Sequence, residues 1–74
     1  MTNQAADALE QYCRLHPRSP SSVRNPRLFQ RGRTWIAILG QSIEEGIVGF
    51  GLTPEAALRA FDVQYLKFLR PQAA

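Results

Sequence analysis

Six arginines, Arg14, Arg18, Arg24, Arg27, Arg31 and Arg33, fall within twenty residues, and no acid stands among them. A guanidinium is permanently charged and presents a planar fork of donors, so it grips a phosphate or a carboxylate through two hydrogen bonds at once. From Thr34 to Ala74 three bases meet four acids, so the net charge of +3 comes from the first half of the chain. Such a segment can neutralise phosphates or meet an acidic protein surface, and it can equally be a solvated connector whose charge aids solubility.

Other reactive residue types do not assemble by spacing. His16 is the sole histidine, and Cys13, three residues before it, makes a helical neighbour pair without a third group. Glu44 and Glu45 are adjacent, which points them to opposite faces of a strand or leaves both in water on a turn, a poor arrangement for paired acid and base work. Gly49-Phe50-Gly51 has neither the third glycine nor the lysine of a phosphate-binding loop. The chain therefore reads as a non-enzyme with no catalytic, metal-binding or cofactor-binding residue, and its function as recognition. Tyr12 and Tyr65 read as packing residues with a polar tip, and Phe29 and Trp35 as core rather than as platforms for base stacking.

The elements that position the arginines follow from pattern. Thr53 is an N-cap, Pro54 sits at the first helical position where its missing N–H costs nothing, and Glu55 meets the positive end of the helix dipole. Ala57, Leu58, Phe61, Tyr65, Phe68 and Leu69 then recur at helical spacing, which predicts a helix from Pro54 to Leu69 with one buried face. Arg70 followed by Pro71 predicts its stop. Arg33 to Leu39 is short and rich in β-branched and aromatic types, and apolar on both sides, which predicts a strand covered on both faces. Gly46 to Gly51 reads as a second strand whose glycines mark a bulge or a close approach by another backbone. Arg27 to Gln30 reads as a weaker third strand, turning at Arg31-Gly32.

Ala5, Ala6, Leu9, Tyr12 and Cys13 form a stripe on an N-terminal helix that ends near His16, with Thr2 or Asn3 as its cap and Cys13 as a buried thiol. Residues 17–26, with their prolines and serines, read as an irregular basic connector, so the chain is one small domain: helix 1–16, connector 17–26, core 27–70. The longest apolar run, Trp35 to Leu39, is far too short to span a bilayer, and with one cysteine no internal disulfide forms; a cytoplasmic protein of a bacterial host is the expectation. A chain of this size buries only about 60–65% of its extended surface and a single core rarely yields more than about 3–5 kcal/mol, so a homodimer is expected, with Trp35, Ile36, Ile38 and Phe50 as core or dimer surface.

The segment Trp35 to Leu58, with the strands "WIAIL" and "IVGFG" followed by "TPEAAL", resembles the small domain of HicB-type antitoxins, in which glycine, any residue and threonine precede a glutamate and an alanine-leucine pair. Gly51, Thr53, Glu55, Ala57 and Leu58 occupy those places. The longer string Arg33 to Leu66 is similar to small uncharacterised proteins of tailed phages and prophages. The resemblance implies an α+β fold: a two- or three-stranded antiparallel sheet packed by the C-terminal helix, with a short N-terminal helix, HicB-like and in part like a double-stranded-RNA-binding domain. Three functions are expected in order: a phage or prophage accessory protein that binds and modulates a host protein with an acidic surface; a nucleic-acid binder using Arg14 to Arg33; and a HicB-like antitoxin that sequesters a small toxin.

Overall fold

The computed structural model describes residues 4–41, 44 and 46–69. Along the chain run α1 (Gln4–Leu15), α2 (Pro20–Arg24), β1 (Arg27–Arg31), β2 (Thr34–Leu39), β3 (Ile47–Gly51) and α3 (Pro54–Leu69). The three strands form an antiparallel meander in the order β1-β2-β3, and the helices lie on one side of it. This is the α+β arrangement expected, with the third strand present. Glu45, the Thr2 or Asn3 cap and the Arg70-Pro71 stop lie outside the described residues.

Local chemistry sets most boundaries. Gly32, with φ +62°, opens the two-residue turn between β1 and β2, and Arg33 follows at ordinary negative φ, the pattern of a hairpin turn that begins on glycine. Thr53 caps α3 as its Oγ1 accepts from the Ala56 amide at 3.0 Å. Residues 17–26 are not an irregular connector: Ser19 accepts from the Ser22 amide at 3.2 Å, Pro20 opens the helix, and Asn25 closes α2 in the left-handed conformation at φ 52°. Ser19 and Pro20, which suggested an irregular connector, cap and open a short helix.

Side chains alternate along β2, so Trp35 and Ala37 point under the helices and join Tyr12, Ala57, Leu58, Phe61 and Tyr65 in the core. Leu58 and Phe61 are wholly buried, each contributing about 1.5–3 kcal/mol. On β3 the inward positions opposite Ala37 and Trp35 are Gly49 and Gly51. A methyl at Gly49 would press on the Phe61 amide and sit 2.5 Å from the Ala57 carbonyl oxygen; one at Gly51 would lie 2.6 Å from the Ala57 amide. These glycines let the backbone of α3 rest directly on β3, the close approach foreseen for them.

Phe68 and Leu69, expected on the buried face, are 72% and 56% exposed. A 16-residue helix is about 24 Å long, whereas a five-residue strand covers about 17 Å, so the last turn of α3 outruns the sheet. On α1, Tyr12 is buried and Ala5 and Leu9 pack against the core, while Ala6 is exposed. Cys13 is half-buried rather than buried, its Sγ 3.8 Å from the Ser21 carbonyl oxygen.

Asp62 on α3 ties the N-terminal elements to this core. Its Oδ2 accepts from the Tyr12 hydroxyl at 2.5 Å, and its Oδ1 accepts from the Ser21 amide at 2.8 Å and the Ser21 hydroxyl at 2.7 Å. One carboxylate thus holds α1 and α2 against α3 through three charge-assisted bonds. Burial, then donation to Asp62, then the negative charge of Asp62 push the Tyr12 phenol well above its ordinary value.

Gly49→Ala is expected to destabilise the protein by about 3 kcal/mol or more in urea unfolding, because two backbones must separate. Asp62→Ala should cost about 3 kcal/mol by stranding three donors, and Asp62→Asn less, since an acceptor oxygen remains. A tyrosine whose folded pKa is raised contributes stability that is complete below its unfolded value near 10 and is lost as pH rises past it. Unfolding free energy should therefore fall more steeply above pH 10 in the wild type than in Tyr12→Phe; parallel profiles would contradict the buried-phenol assignment.

Candidate functional site

Opposite the helices the sheet presents its other face to solvent. The register aligns Phe29, Ile36 and Phe50 in one row across the three strands, Arg27, Ile38 and Val48 in a second, and Arg31 with Thr34 in a third. Ile36 and Ile38 are only 4% and 3% exposed, yet neither belongs to the core beneath the helices. Their cross-strand neighbours are Phe29 and Phe50 for Ile36 and Arg27 and Val48 for Ile38, with Cβ atoms about 5 Å away. The second apolar face of β2 is thus covered within one chain, with the strand at the centre of the sheet.

Phe29 is not core. It stands on the open face at 37% exposure, and Phe50 stands on the far side of Ile36 at 50% exposure. Trp35 differs from the other three residues grouped with it as core or dimer surface, since it faces inward among the helices. Beyond Phe50 the open face runs over the free edge of β3 into a shallow groove bordered by Val48, Gln64, Lys67 and Phe68.

The six arginines do not make one surface. Arg14 pairs with Glu10 at 2.9 Å across one exposed turn of α1. Arg24 folds back on the core, its Nε donating to the Tyr65 hydroxyl at 2.7 Å with the guanidinium carbon 5.7 Å from that ring's centroid. Arg18 lies exposed in the turn between α1 and α2. Arg27 and Arg31 flank Phe29 on the open face of β1, and Arg33 is exposed on the turn at its end. No acid stands on the open face of any of the three strands.

Pattern reading treated the six arginines as one basic segment and Phe29 as core, and so missed the union of Arg27, Phe29 and Arg31 on one strand face. The signal was present: Arg27, Phe29 and Arg31 alternate with Leu28 and Gln30, which places all three on one face of any strand that includes them. Phe50 between two glycines carries the same message, because once the glycines face a helix the ring must face away. The remaining reactive types stay dispersed. His16 stacks at a tilt on Tyr12 with centroids 4.5 Å apart, Glu44 is exposed, and among the described residues no three ligating side chains gather. No helix among these residues is long and apolar enough to cross a membrane.

Comparison with protein-family models, with curated proteins and with solved structures returned no match.

Replacing Arg27, Arg31 and Arg33 together by glutamine should leave stability within about 0.5 kcal/mol, since all three are exposed. Arg24→Gln should cost about 1 kcal/mol through the lost bond and ring contact with Tyr65. Urea midpoints measured side by side test this division of the arginines; equal losses would contradict it.

Proposed function

We propose that this protein is a non-enzymatic recognition module whose contact surface is the open face of its sheet, presented to an acidic macromolecule. The observation that carries the reading is the pair of exposed rings Phe29 and Phe50, in register on either side of the covered Ile36, with Arg27 and Arg31 on the same face and no acid there. Aromatic rings with arginine beside them are the residue types that dominate binding surfaces, because they bring large contact area and directed charge at low entropic cost. Arg14 and Arg24, engaged within the chain, serve the fold; Arg27, Arg31 and Arg33 serve the contact. An accessory role in a phage or prophage, acting on a component of the bacterial host, suits a module with recognition and no chemistry.

The test is capture from bacterial lysate with protein and nucleic acid both analysed, comparing the wild type with Phe29→Ser/Phe50→Ser after circular dichroism has verified the fold. The wild type should retain an acidic component that the double variant loses. Identical recovery by both would overturn the assignment of the sheet face as the contact.

A further inference from the structure

Resting on that reading, we infer that the occupant of the open sheet face is a single-stranded nucleic acid, with bases stacked on Phe29 and Phe50 and phosphates held by Arg27, Arg31 and Arg33. Size argues first. Three strands about 4.8 Å apart and five residues long give a platform on the order of 250 Å². A stable protein interface needs about 800 Å² from each partner, so neither a second copy nor a folded protein is held by this face alone. A platform of this size has room for two bases, one on each ring.

Charge argues second. The face has arginine and no carboxylate, so a second copy that met it with the same face would set arginine against arginine, whereas a phosphodiester strand brings one negative charge per nucleotide. Geometry argues third. Phe29 and Phe50 lie two strands apart, about 10 Å, with Ile36 as an apolar floor between them. Arg27 and Arg31 are each about 7 Å along β1 from Phe29 and point to the same side, within reach of the phosphates that flank a base on that ring. On the opposite edge Lys67 borders the groove beyond Phe50, so a strand crossing the sheet meets a cation at both ends and rings in the middle. A duplex offers no free base faces to such a platform, which is why the single strand is the form recognised.

Fluorescence anisotropy of the full chain with short labelled oligothymidylate and oligouridylate at low salt tests the inference. Binding of at least one is expected, with affinity falling as salt rises by a slope of about −0.7 per phosphate neutralised, and Arg27→Gln/Arg31→Gln should flatten that slope by about 1.4. Phe29→Leu and Phe50→Leu keep the apolar cover over Ile36 and remove the ring, so each should weaken binding about tenfold, while Phe29→Tyr should stay within about twofold of the wild type. Failure of both oligomers to bind, equal affinity for a duplex of the same length, full affinity in the leucine variants, or competition by polyglutamate as effective as by the oligomers would each overturn it. If capture from lysate depends on the face while the oligomers do not bind, the partner is a protein: the recognition reading stands and the nucleic-acid inference falls.

Discussion

Everything in this fold follows from a helix backbone lying directly on a strand backbone. Gly49 and Gly51 remove the side chains that would otherwise hold α3 away from β3, and the Ala57 and Phe61 backbone fills the space. The same contact decides the other side of the sheet. With glycines facing in, Phe50 between them must face out, and the register carries Ile36 and Phe29 into line with it. A packing requirement on one face thus sets the row of apolar side chains on the other.

The Asp62 carboxylate performs the second organising task. By accepting from Tyr12 and from both donors of Ser21, it fixes α1 and α2 to the middle of α3 and keeps the chain before β1 on the helical side. Arg24 joins this assembly through Tyr65. The arginine-rich segment is therefore split by the fold: its first part runs over the helical layer, and its last part, from Arg27, becomes the edge strand and turn of the open face. Charge that looks continuous along the chain is divided between structure and surface.

Phe29 and Phe50 stand in solvent at 37% and 50% exposure; Leu52, Leu66 and Phe68 are exposed elsewhere on the surface, but only Phe29 and Phe50 share a sheet face with arginine. Their shared face, edged with arginine and free of acids, is the one proposed for stacking and phosphate contact.

Sequence alone determined the α+β class, the start of α3, and the strand character of residues 34–39 and 47–51, because capping chemistry, helical periodicity and β-branched runs act over a few neighbouring residues. It also foretold that glycine in β3 admits a close neighbour. It did not reveal α2, since serine and proline mark a short capped helix and an irregular loop alike, and the choice turns on Asp62, forty-one residues from Ser21. Nor did it place Phe29 outside the core, or separate Arg24 from Arg27. Which face of a strand is covered depends on what packs there, and which arginine finds an internal partner depends on residues that meet only once the chain has closed on itself. Those are long-range facts of shape, and tertiary structure alone decides them.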